Sequence, residues 1–544
     1  MRILVTAALP YANGPLHLGH IRSTYLPADI YARYQRLAGN EVLYICASDE
    51  HGTPIVATAE KEKKTPKDVV DYYHERDKRE FEALGFSMDI FHRTTSDENT
   101  EMTLLFFKLL NENGHIYERE VERPYCEHCK RFLPDRFVVG TCPYCKAENQ
   151  YSDLCESCGR TLKEGEVIGP KCIFCSSTPV AKTSRHHFLR LSSFSSKLQE
   201  WLTNNKSLQK EVVNYVLNWL KEGLLDWDIT RNMDWGIQVP GKEDMRFYVW
   251  FDAPIGYISS TAALTPKWED FWKGDSRIVH FIGKDIVYHH FLFWPAMLMG
   301  VGDGFRTPDV IAVRGYLNLE HRKFSKSKNW FVSLGDFLSA FPPDYLRYYE
   351  TALTPHSVED ADFAWADFQK RINNELIAAL GNFIHRTLVL IQKEGEIPQP
   401  ENMDEEDSGM LSLLTEARDE IGEAIERFDL RGGQEKLIAL SGEFNKYLSE
   451  REPWKEKDQK RRRNTIYACS RAISALAVLM RPFLPFTSDS LMKMVGIKNE
   501  SIKWEDADKE LIPQGYNVAN IKPLFEKISD ERISEQEKKL KSTV

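Results

Sequence analysis

The sequence predicts an α/β domain built on a parallel sheet, followed along the chain by an all-α domain. Two β-rich apolar runs, RILVTAAL (2–9) and EVLYICAS (41–48), flank one amphipathic helical pattern. Strand, helix and strand in this order form a βαβ unit, whose strands are parallel. A further apolar run, RIVHFIG (277–283), predicts a buried strand. From about 366 to 495, long amphipathic patterns replace the strand signals and indicate a helical domain.

The first helix is predicted from about Ile21 to Leu37, where apolar residues recur on one face. Gly39 follows, and glycine is the residue type that most often occupies the left-handed turn after a helix. Within the helical domain, the acidic segment 401–407 is predicted as a loop. Residues 511–544 are predicted as a linker that ends in a charged helical tail, EQEKKLK.

Composition excludes several classes of protein. The 544 residues are 42% hydrophobic, so the chain is not disordered, and its length predicts three or four domains with their own cores. The net charge of -10 argues against a globally basic nucleic-acid binder. The most apolar stretch, 464–486, contains Arg471 and Arg481, so we expect no membrane span. The N-terminal apolar run is too short for a signal peptide, and we expect a cytoplasmic protein.

Eight of the ten cysteines form four CxxC pairs. A CxxC turn places two thiolates on one side of a zinc ion, and two such turns complete a tetrahedron. The sequence therefore predicts two structural four-cysteine zinc sites, because four thiolates leave no open position for a substrate. Redox CxxC pairs are the alternative, but four of them within 50 residues are hard to explain as redox centres. The pairs can combine in three ways, and they are Cys126/Cys129, Cys142/Cys145, Cys155/Cys158 and Cys172/Cys175.

Two short motifs carry groups that suit phosphate binding. The first is HLGH, in which His17, Gly19 and His20 stand where the first helix begins after a parallel strand. Such a helix terminus attracts phosphate, and two imidazoles three residues apart share a helical face. The second is KFSKS, in which Lys323 and Lys326 can grip a triphosphate as point charges. Taken alone, each motif is more often structural or solvated than functional.

Together the two motifs resemble the HIGH and KMSKS signatures of class I aminoacyl-tRNA synthetases. Further segments occur in the order seen in methionyl-tRNA synthetases, and the similarity covers about residues 1–500. Phe324 replaces the usual Met of KMSKS, and either residue can anchor the loop by apolar packing. The resemblance implies a Rossmann-like, doubly wound catalytic domain with a zinc-knuckle insertion and an all-α anticodon-binding domain. The segments are ALPYANGPLHLGH, CASDEHGTP, WDITRNMDWGIQVP, YVWFDAPIGYISS, FIGKDIVYHHFLFWPAM and KFSKSKN.

The resemblance implies that ATP activates methionine as methionyl-adenylate, and that the methionyl group passes to the 3′ end of initiator and elongator tRNA(Met). A carboxylate needs no general base to attack phosphorus, so the protein mainly positions reactants and neutralises phosphate charge. Mg²⁺ is expected to arrive with ATP. The resemblance assigns catalysis to His17, His20, Lys323 and Lys326, and ATP binding to these four with Gly19 and Asp285.

A methionine pocket follows from the same resemblance. Asp49 is expected to bind the α-ammonium group, and Tyr257 and His290 to contact the sulfur through polar hydrogens. Aromatic side chains are expected to surround the thioether. Without the resemblance, the aromatic cluster would be taken for ordinary core. The full predicted set is Leu9, Tyr11, Asp49, Trp250, Ala253, Pro254, Tyr257, Ile286, His290 and Trp294.

The helical domain is expected to bind the anticodon. Asn382 and Arg386 are four residues apart and project from one helix face, and Trp454 matches the family's PW element. An indole can stack on unpaired bases, while Asn and Arg bind their edges. The alternative is a surface polar pair. The basic run 455–463 is by default a solvated helix face, although it lies beside Trp454 and can reach tRNA phosphates.

Bacterial relatives with one zinc ion keep the inner two CxxC pairs, which implies a nested arrangement here. We expect Cys142, Cys145, Cys155 and Cys158 on one ion, and the outer four cysteines on the other. The insertion is expected to shape the active site near the tRNA acceptor end. Two alternatives stay open: another class I synthetase such as the cysteinyl enzyme, and a non-catalytic zinc-knuckle RNA-binding protein.

The expected organisation has six segments. We also expect a monomer without the C-terminal dimerisation domain of some relatives, and a separate tRNA-binding protein acting in trans is possible. The segments are the first half of the catalytic domain (1–118), the connective insertion (119–229, knuckles 119–182), the second half (230–315), the KFSKS-loop connecting domain (316–365), the anticodon-binding domain (366–510) and the C-terminal linker and tail (511–544).

Overall fold

The computed structural model describes residues 1–152, 155, 157–158, 160, 162, 165–324, 329–498, 502–513, 515–518 and 520–542. Its strands are β1 (Arg2–Ala7), β2 (Glu41–Ser48), β3 (Ile90–Arg93), β4 (Ile116–Cys126), β5 (Arg131–Phe132), β6 (Val138–Thr141), β7 (Gln150–Tyr151), β8 (Ile168–Cys172), β9 (Val180–Leu189), β10 (Trp227–Asp228), β11 (Thr230–Asn232), β12 (Met245–Phe247), β13 (Ser276–Gly283), β14 (Val310–Arg314), β15 (Leu317–Leu319), β16 (Arg322–Lys323) and β17 (Ala361–Phe363).

The α-helices are α1 (Leu18–His20), α2 (Leu26–Leu37), α3 (Thr53–Glu62), α4 (Pro66–Ala83), α5 (Asp97–Glu112), α6 (Ser195–Asn204), α7 (Lys210–Glu222), α8 (Val249–Asp252), α9 (Gly256–Leu264), α10 (Trp268–Trp272), α11 (Trp294–Val301), α12 (Leu334–Ala340), α13 (Pro343–Ala352), α14 (Trp365–Arg371), α15 (Asn382–Glu394), α16 (Glu405–Glu426), α17 (Leu430–Arg451), α18 (Gln459–Leu479), α19 (Pro485–Val495) and α20 (Asp530–Ser542). In the part of the chain that the structure describes, no helix combines the length and apolar character needed to cross a membrane.

The catalytic half contains a five-stranded parallel sheet in the order β14-β13-β1-β2-β3. This order confirms the predicted α/β fold with a doubly wound parallel sheet. From β1 the chain continues to β2 and β3 on one side of the sheet and later to β13 and β14 on the other side, so the strand order reverses beside β1. In such sheets ligands bind at the carboxyl ends of the strands near this reversal. The three predicted strands are present as β1, β2 and β13.

The first predicted helix begins earlier and is less regular than its apolar pattern suggested. A short α-helical turn at Leu18–His20 leads into a π-helical segment at Ile21–Tyr25, and only then into α2. Short π-helical segments inside α-helices are frequent at functional sites. The hydrophobic period of the sequence does not reveal this change of winding.

The insertion after α5 forms two antiparallel sheets. The larger has the order β10-β9-β4-β5, and β4 pairs with β9 along ten residue pairs, from Ile116↔Leu189 to Tyr125↔Val180. The smaller has the order β7-β6-β8 and lies among the cysteine turns. The long β4–β9 ribbon therefore carries the knuckles at its far end and returns the chain to the catalytic sheet.

The helical domain is built on α15 to α19, as the amphipathic patterns predicted. The prediction of a loop over 401–407 is wrong for its second half. Asp404 accepts a hydrogen bond from the Asp407 main-chain N–H as the N-cap of α16, and Glu405–Asp407 form its first turn. Acidic side chains at this position stabilise the positive end of the helix dipole, which explains why an acidic segment begins a helix.

The C-terminal segment is ordered against the rest of the molecule. The Tyr345 hydroxyl donates to the main-chain oxygen of Glu526 at 2.7 Å, and Asn373 forms two hydrogen bonds of 2.9 Å with the main chain of Ile528. Helix α20 then packs on α14. The segment predicted as a linker thus folds back onto the start of the helical domain.

Candidate active site

A cavity of about 480 Å³ opens at the carboxyl ends of β1, β2 and β13, where the strand order reverses. Eleven predicted site residues line it, and they come from segments that are far apart in the sequence. The parallel sheet brings these segments together, since the carboxyl ends of its strands share one edge. The eleven are Leu9, Tyr11, His20, Asp49, Trp250, Ala253, Pro254, Tyr257, Asp285, Ile286 and His290.

The loop after β1 is fixed to the loop after β2. Ala12 N–H donates to Asp49 O at 2.9 Å, Asp49 N–H donates to Pro10 O at 2.8 Å, and the Tyr11 hydroxyl donates to His51 O. Gly52 has a φ of 94°, and a Cβ there would lie 2.5 Å from the Tyr11 hydroxyl oxygen. Glycine is therefore required at this position for two reasons, the backbone angle and the close approach of Tyr11.

Asp49 presents an unsatisfied carboxylate oxygen in a buried site. Its Oδ1 has no hydrogen-bond partner among the described residues, although the side chain lines the cavity. Burial, and next the neighbouring Asp252 carboxylate, hold the pKa of Asp49 well above its usual value. Asp252 is itself bound by His51 Nδ1 at 2.7 Å. A cationic group in the cavity would satisfy Oδ1 and favour the ionised carboxylate.

Tyr257 and His290 form one hydrogen-bonded chain in the cavity wall. His290 Nδ1 donates to Ile286 O at 3.1 Å, because a carbonyl can only accept. Burial lowers the pKa of His290 to about 4, so the ring is neutral and its Nε2 accepts the Tyr257 hydroxyl hydrogen at 2.9 Å. Both polar hydrogens are thus used within the protein, whereas the sequence suggested that they point to a ligand.

Trp294 is fully buried and is not part of the cavity wall. Its indole N–H donates to His280 Nε2 at 3.2 Å, and the His280 ring stacks on Tyr257 with a centroid distance of 4.9 Å. Trp294 therefore supports the wall from behind and does not line the cavity, whereas the resemblance placed it in the methionine pocket. Trp250 does line the cavity and stacks on His289 at 3.6 Å.

The HLGH segment begins the first helix as predicted. His17 is its N-cap, and the His17 main-chain N–H donates to His20 Nδ1 at 3.2 Å. The two imidazole rings stack with a centroid distance of 3.6 Å. A Cβ on Gly19 would lie 3.1 Å from His17 Nδ1, so glycine allows this stack. The Phe324 ring stacks on His17 at 4.9 Å, which is the apolar anchoring expected for the residue that replaces Met.

The remaining phosphate-binding candidates lie on either side of this segment. Asp285 lines the cavity just after β13, and burial raises its pKa. Lys323 is exposed at the end of β16, which pairs with β15. Lys326 lies in 325–328, outside the described residues. His17 and Gly19 are close in the chain to His20, which lines the cavity, but His17, Gly19 and Lys323 are not among its lining residues.

Several cavity residues were not predicted as site residues. Arg231 and Met233 lie in the WDITRNMDW segment that carried the resemblance, so a signal for them existed. The Arg231 guanidinium lies 4.0 Å from the centre of the Tyr248 ring, which also lines the cavity. Arg136 comes from the knuckle insertion, and only the three-dimensional fold brings it to the cavity.

The eight knuckle cysteines form two candidate metal centres. The ligand atoms of each group lie within 4.8 Å of one another, and the inner and outer pairs group as the nested arrangement requires. The Cys129 main-chain N–H donates to Cys126 Sγ at 3.3 Å, and the Cys158 main-chain N–H donates to Cys155 Sγ at 3.5 Å. The groups are Cys126, Cys129, Cys172, Cys175 and Cys142, Cys145, Cys155, Cys158.

The predicted anticodon residues lie together at one end of the helical domain. Asn382 is exposed at the start of α15, and the Arg386 guanidinium lies 5.2 Å from the centre of the Trp454 ring. Arg386 Nη1 also donates to Asn445 Oδ1 at 3.3 Å and Ser449 Oγ at 3.2 Å. Trp454 is 46% exposed, which is unusual for so large an apolar side chain.

The neighbouring basic run 455–463 is largely paired with carboxylates. Arg462 lies 2.8 Å from Glu394, and Lys455 lies 2.7 Å from Glu452. Lys460 and Arg461 are also paired, at 3.4 Å with Glu401 and 3.7 Å with Glu456. The run therefore presents less free positive charge than its composition suggests.

Comparison with known proteins agrees with this architecture. The family model for tRNA synthetases class I (M) matches residues 3–388, and that for the anticodon binding domain of methionyl tRNA ligase matches residues 397–543. The methionine–tRNA ligase of Methanobrevibacter smithii is 44% identical over 100% of this chain and 83% of its own length. That of Methanosphaera stadtmanae is 42% identical over 99% of this chain and 82% of its own length.

A similar fold is also present among solved structures. The crystal structure of Mycobacterium tuberculosis methionyl-tRNA synthetase bound by methionyl-adenylate superposes with a TM-score of 0.81. It covers 97% of this chain and 100% of that chain, at 23% sequence identity.

Proposed function

This chain belongs to the methionyl-tRNA synthetase family, and we propose that the cavity at the carboxyl edge of its parallel sheet is where methionine is activated by ATP. The unpartnered Oδ1 of Asp49 is the observation that carries this proposal. A buried carboxylate oxygen without a donor is costly, and an α-ammonium group supplies both the missing hydrogen bond and a compensating charge. The ligand is therefore an amino acid, and the apolar wall beyond Asp49 selects its side chain.

The methionine side chain is proposed to lie against Tyr257, His290 and Trp250. Because the polar hydrogens of Tyr257 and His290 are engaged, contact with sulfur relies on ring edges and dispersion rather than on donated hydrogen bonds. Sulfur–aromatic contacts of this kind contribute roughly 0.3–1.5 kcal/mol each. A neutral, rigid wall also disfavours charged or strongly polar side chains of similar length, since their polar groups would lack partners.

The triphosphate of ATP is proposed to lie along His17, Gly19 and His20, with Lys323 and Lys326 approaching from the other side and Asp285 at the ribose. The methionine carboxylate then attacks the α-phosphorus, the bond to the β-phosphate breaks, and pyrophosphate leaves. The protein contributes position and charge: imidazole N–H groups and ammonium groups stabilise the negative charge that develops on the phosphates. Mg²⁺ is proposed to enter with ATP.

In the second step, the terminal ribose hydroxyl of tRNA(Met) takes the methionyl group and AMP leaves. We propose that Asn382 and Arg386 of α15 and Trp454 after α17 bind the anticodon, and that both initiator and elongator tRNA(Met) are charged. The exposed indole offers a stacking face, and Arg386 already lies beside it. The expectation of a cytoplasmic monomer, helped by a tRNA-binding protein in trans, rests on the sequence.

Zinc is proposed for both cysteine groups. Four sulfur ligands fit tetrahedral Zn²⁺, and two main-chain N–H groups that donate to sulfur favour the thiolate form. A shell of four protein ligands has no open position, so the role is structural. The ions would fix the end of the β4–β9 ribbon, from which Arg136 reaches the active-site cavity.

Amino-acid-dependent exchange between ATP and pyrophosphate tests the proposal. We expect exchange with methionine that is much faster than with any of the other nineteen amino acids. Exchange with cysteine instead would favour the cysteinyl alternative. A folded, zinc-replete protein that gives no exchange with methionine would refute the proposal.

A further inference from the structure

A second cavity, of about 410 Å³, lies between the catalytic sheet and the helical domain, and it shares no lining residue with the active-site cavity. Strand β14, the turn between α16 and α17, and the segment 206–210 that leads into α7 form most of its walls. Five cations line it and one carboxylate, Glu426, does so. This is a concentration of positive charge in a chain whose net charge is -10. The cations are Lys206, Lys210, Arg277, Arg314 and Arg427.

Arg314 is the buried member of this set. Its side chain is 1% exposed, and it forms no ion pair with any described residue. Nη1 donates to Val313 O at 3.0 Å and Nη2 to Phe428 O at 2.8 Å, whereas Nε has no hydrogen-bond partner among the described residues. Burial lowers the pKa of Arg314 to about 10, so the guanidinium remains charged at neutral pH. A buried charge is normally paired directly. Here Asp429 and Glu211 act on the guanidinium electrostatically, but among the described residues neither lies within ion-pair distance of it.

The start of helix α7 adds a second anion-attracting feature to the same cavity. Lys210 is its first residue, and no side chain caps its N-terminus. The N-cap residue, Gln209, is used elsewhere: its Nε2 donates to Val313 O and its Oε1 accepts from Val313 N at 2.7 Å. The first N–H groups of this 13-residue helix therefore lack a side-chain cap, and the helix dipole adds positive potential. Glu211 lies in the same first turn and offsets part of this potential, while its Oε1 accepts a hydrogen bond from Val358 N at 3.1 Å.

The single carboxylate does not neutralise the cavity. Glu426 accepts from Gln35 at 2.7 Å and lies 3.4 Å from Arg277, so it is already satisfied and compensates one cation. Lys206, Lys210 and Arg427 are exposed at the cavity walls, and Arg427 forms an exposed pair with Glu423 at 3.4 Å. The cavity thus has an open, cationic rim and a buried guanidinium.

We infer that this cavity is a binding site for a phosphate group, separate from the ATP site and located at the junction of the two domains. A phosphate fits because it accepts several charge-assisted hydrogen bonds at once from guanidinium, ammonium and helix N–H donors. A site that bridges β14 and the α16–α17 turn would also tie the catalytic sheet to the helical domain. The phosphate can belong to a small molecule or to the tRNA backbone, and a measurement of tRNA binding distinguishes these two sources.

Titration of the full-length protein with inorganic phosphate, at constant ionic strength kept with chloride, tests the site. We expect the Lys210→Gln/Arg427→Gln double variant to bind phosphate about tenfold more weakly than the unchanged protein, or not at all. The matched control is Lys221→Gln/Arg431→Gln. Lys221 lies at the other end of α7, and Arg431 is an exposed arginine that also pairs with a carboxylate one turn away. The control should bind phosphate within twofold of the unchanged protein.

Binding of a tRNA(Met) transcript distinguishes the source. Weaker tRNA binding by the double variant, with phosphate and tRNA competing, identifies a backbone phosphate. Unchanged tRNA binding identifies a small phosphorylated ligand. Phosphate titrations that are identical for the double variant and the unchanged protein would overturn the site.

The buried Arg314 provides a second, independent variant. Arg314→Met should also lose phosphate binding, provided that its circular dichroism spectrum and melting temperature match those of the unchanged protein. If Arg314→Met is folded and binds phosphate normally, the guanidinium is not part of the site and the inference fails. ATP–pyrophosphate exchange should be unchanged in the Lys210→Gln/Arg427→Gln variant, so this result is separable from the proposed activity.

Discussion

Asp49 is the side chain on which amino-acid binding depends most. Asp49→Asn removes the charge but keeps the shape, and we expect the KM for methionine in ATP–pyrophosphate exchange to rise by about two orders of magnitude or more. This corresponds to roughly 3–5 kcal/mol for a buried ion pair that loses one partner. Glu405→Gln, an exposed carboxylate far from the cavity, serves as the control. A KM within threefold of the original would show that Asp49 does not bind the ammonium group.

The raised pKa of Asp49 gives methionine binding a pH dependence. Only the ionised carboxylate pairs with an ammonium group, so binding should weaken as pH falls through the pKa of Asp49 in the free protein. Because burial and Asp252 raise that pKa, the loss should begin at a higher pH than for an exposed aspartate. The Asp49→Asn variant should lack this acid limb in a plot of methionine affinity against pH. An acid limb that persists in the variant would assign it to another group.

At the residue scale, the motifs predicted residues that meet at the cavity, but they did not predict features that depend on how a side chain is buried. The lining of the cavity by Leu9, Tyr11 and Asp49 was predictable from the resemblance. The tautomer of His290 was not, since it depends on a main-chain carbonyl that the winding of the segment from Ile286 places 3.1 Å away. Trp294 shows the same limit, because its apolar context fitted both a pocket and a core position.

Among the structural elements, the knuckle insertion is the one that we propose to depend on bound zinc. Cys126→Ser should reduce bound zinc from two ions per chain to one, and Cys142→Ser should do the same through the other group. Cys469→Ser is the control, because this buried cysteine lies in the helical domain outside both groups. Elemental analysis of purified protein measures the ratio. Two zinc ions in Cys126→Ser would show that Cys126 does not hold zinc and would contradict the proposed site of the outer four cysteines.

The turn after α17 is the element that we expect to read tRNA. Trp454→Ala should lower kcat/KM for charging by about 10- to 100-fold, as expected from roughly 1–3 kcal/mol for one base stacked on an aromatic ring. ATP–pyrophosphate exchange should stay nearly unchanged. Tyr215→Ala, at an exposed aromatic residue of α7, should affect neither assay strongly. Equal losses in charging and exchange for Trp454→Ala would refute an anticodon role.

Three of the five strands of the central sheet, β1, β2 and β13, were predictable because they are apolar runs, and two of them flank the first helix, whereas β3 and β14 were not predicted. The π-helical segment at Ile21–Tyr25 and the helix that begins at Glu405 were not. In the first case the hydrophobic period stays close to helical while the hydrogen bonding changes. In the second, acidic residues that a pattern assigns to a loop are stabilised by the helix dipole and by the Asp404 cap.

For the whole molecule, the sequence predicted the order of the parts but not how they are joined. Arg347, in α13 of the connecting segment, links the catalytic and helical domains, and its ion pair with Asp29 is fully buried. Arg347 Nη2 lies 2.7 Å from Asp29 Oδ2, and Arg347 also donates to the main-chain oxygens of Pro482 and Phe483 at 2.9 Å. Asp29 belongs to α2, while Pro482 and Phe483 precede α19. Partners more than 100 residues apart leave no pattern in a single sequence, so this junction could only be seen in the structure.

The junction predicts how stability changes in acid. Arg33 and Arg347, with hydrogen bonds from Ser87, lower the pKa of Asp29 to about 2 although burial opposes the shift. The folded-state pKa lies below the unfolded value, so the pair stabilises the protein above about pH 4, and this contribution, of order 2 kcal/mol, is lost as pH falls towards 2.

At pH 7, Asp29→Asn should cost about 3–5 kcal/mol in urea unfolding, because it leaves Arg347 buried without its partner. Glu435→Gln, which breaks an exposed pair with Arg431, should cost less than about 1 kcal/mol. The gap between Asp29→Asn and the unchanged protein should narrow from pH 5 to pH 3, and a gap that stays constant over this range would show that the junction does not depend on the charge of Asp29.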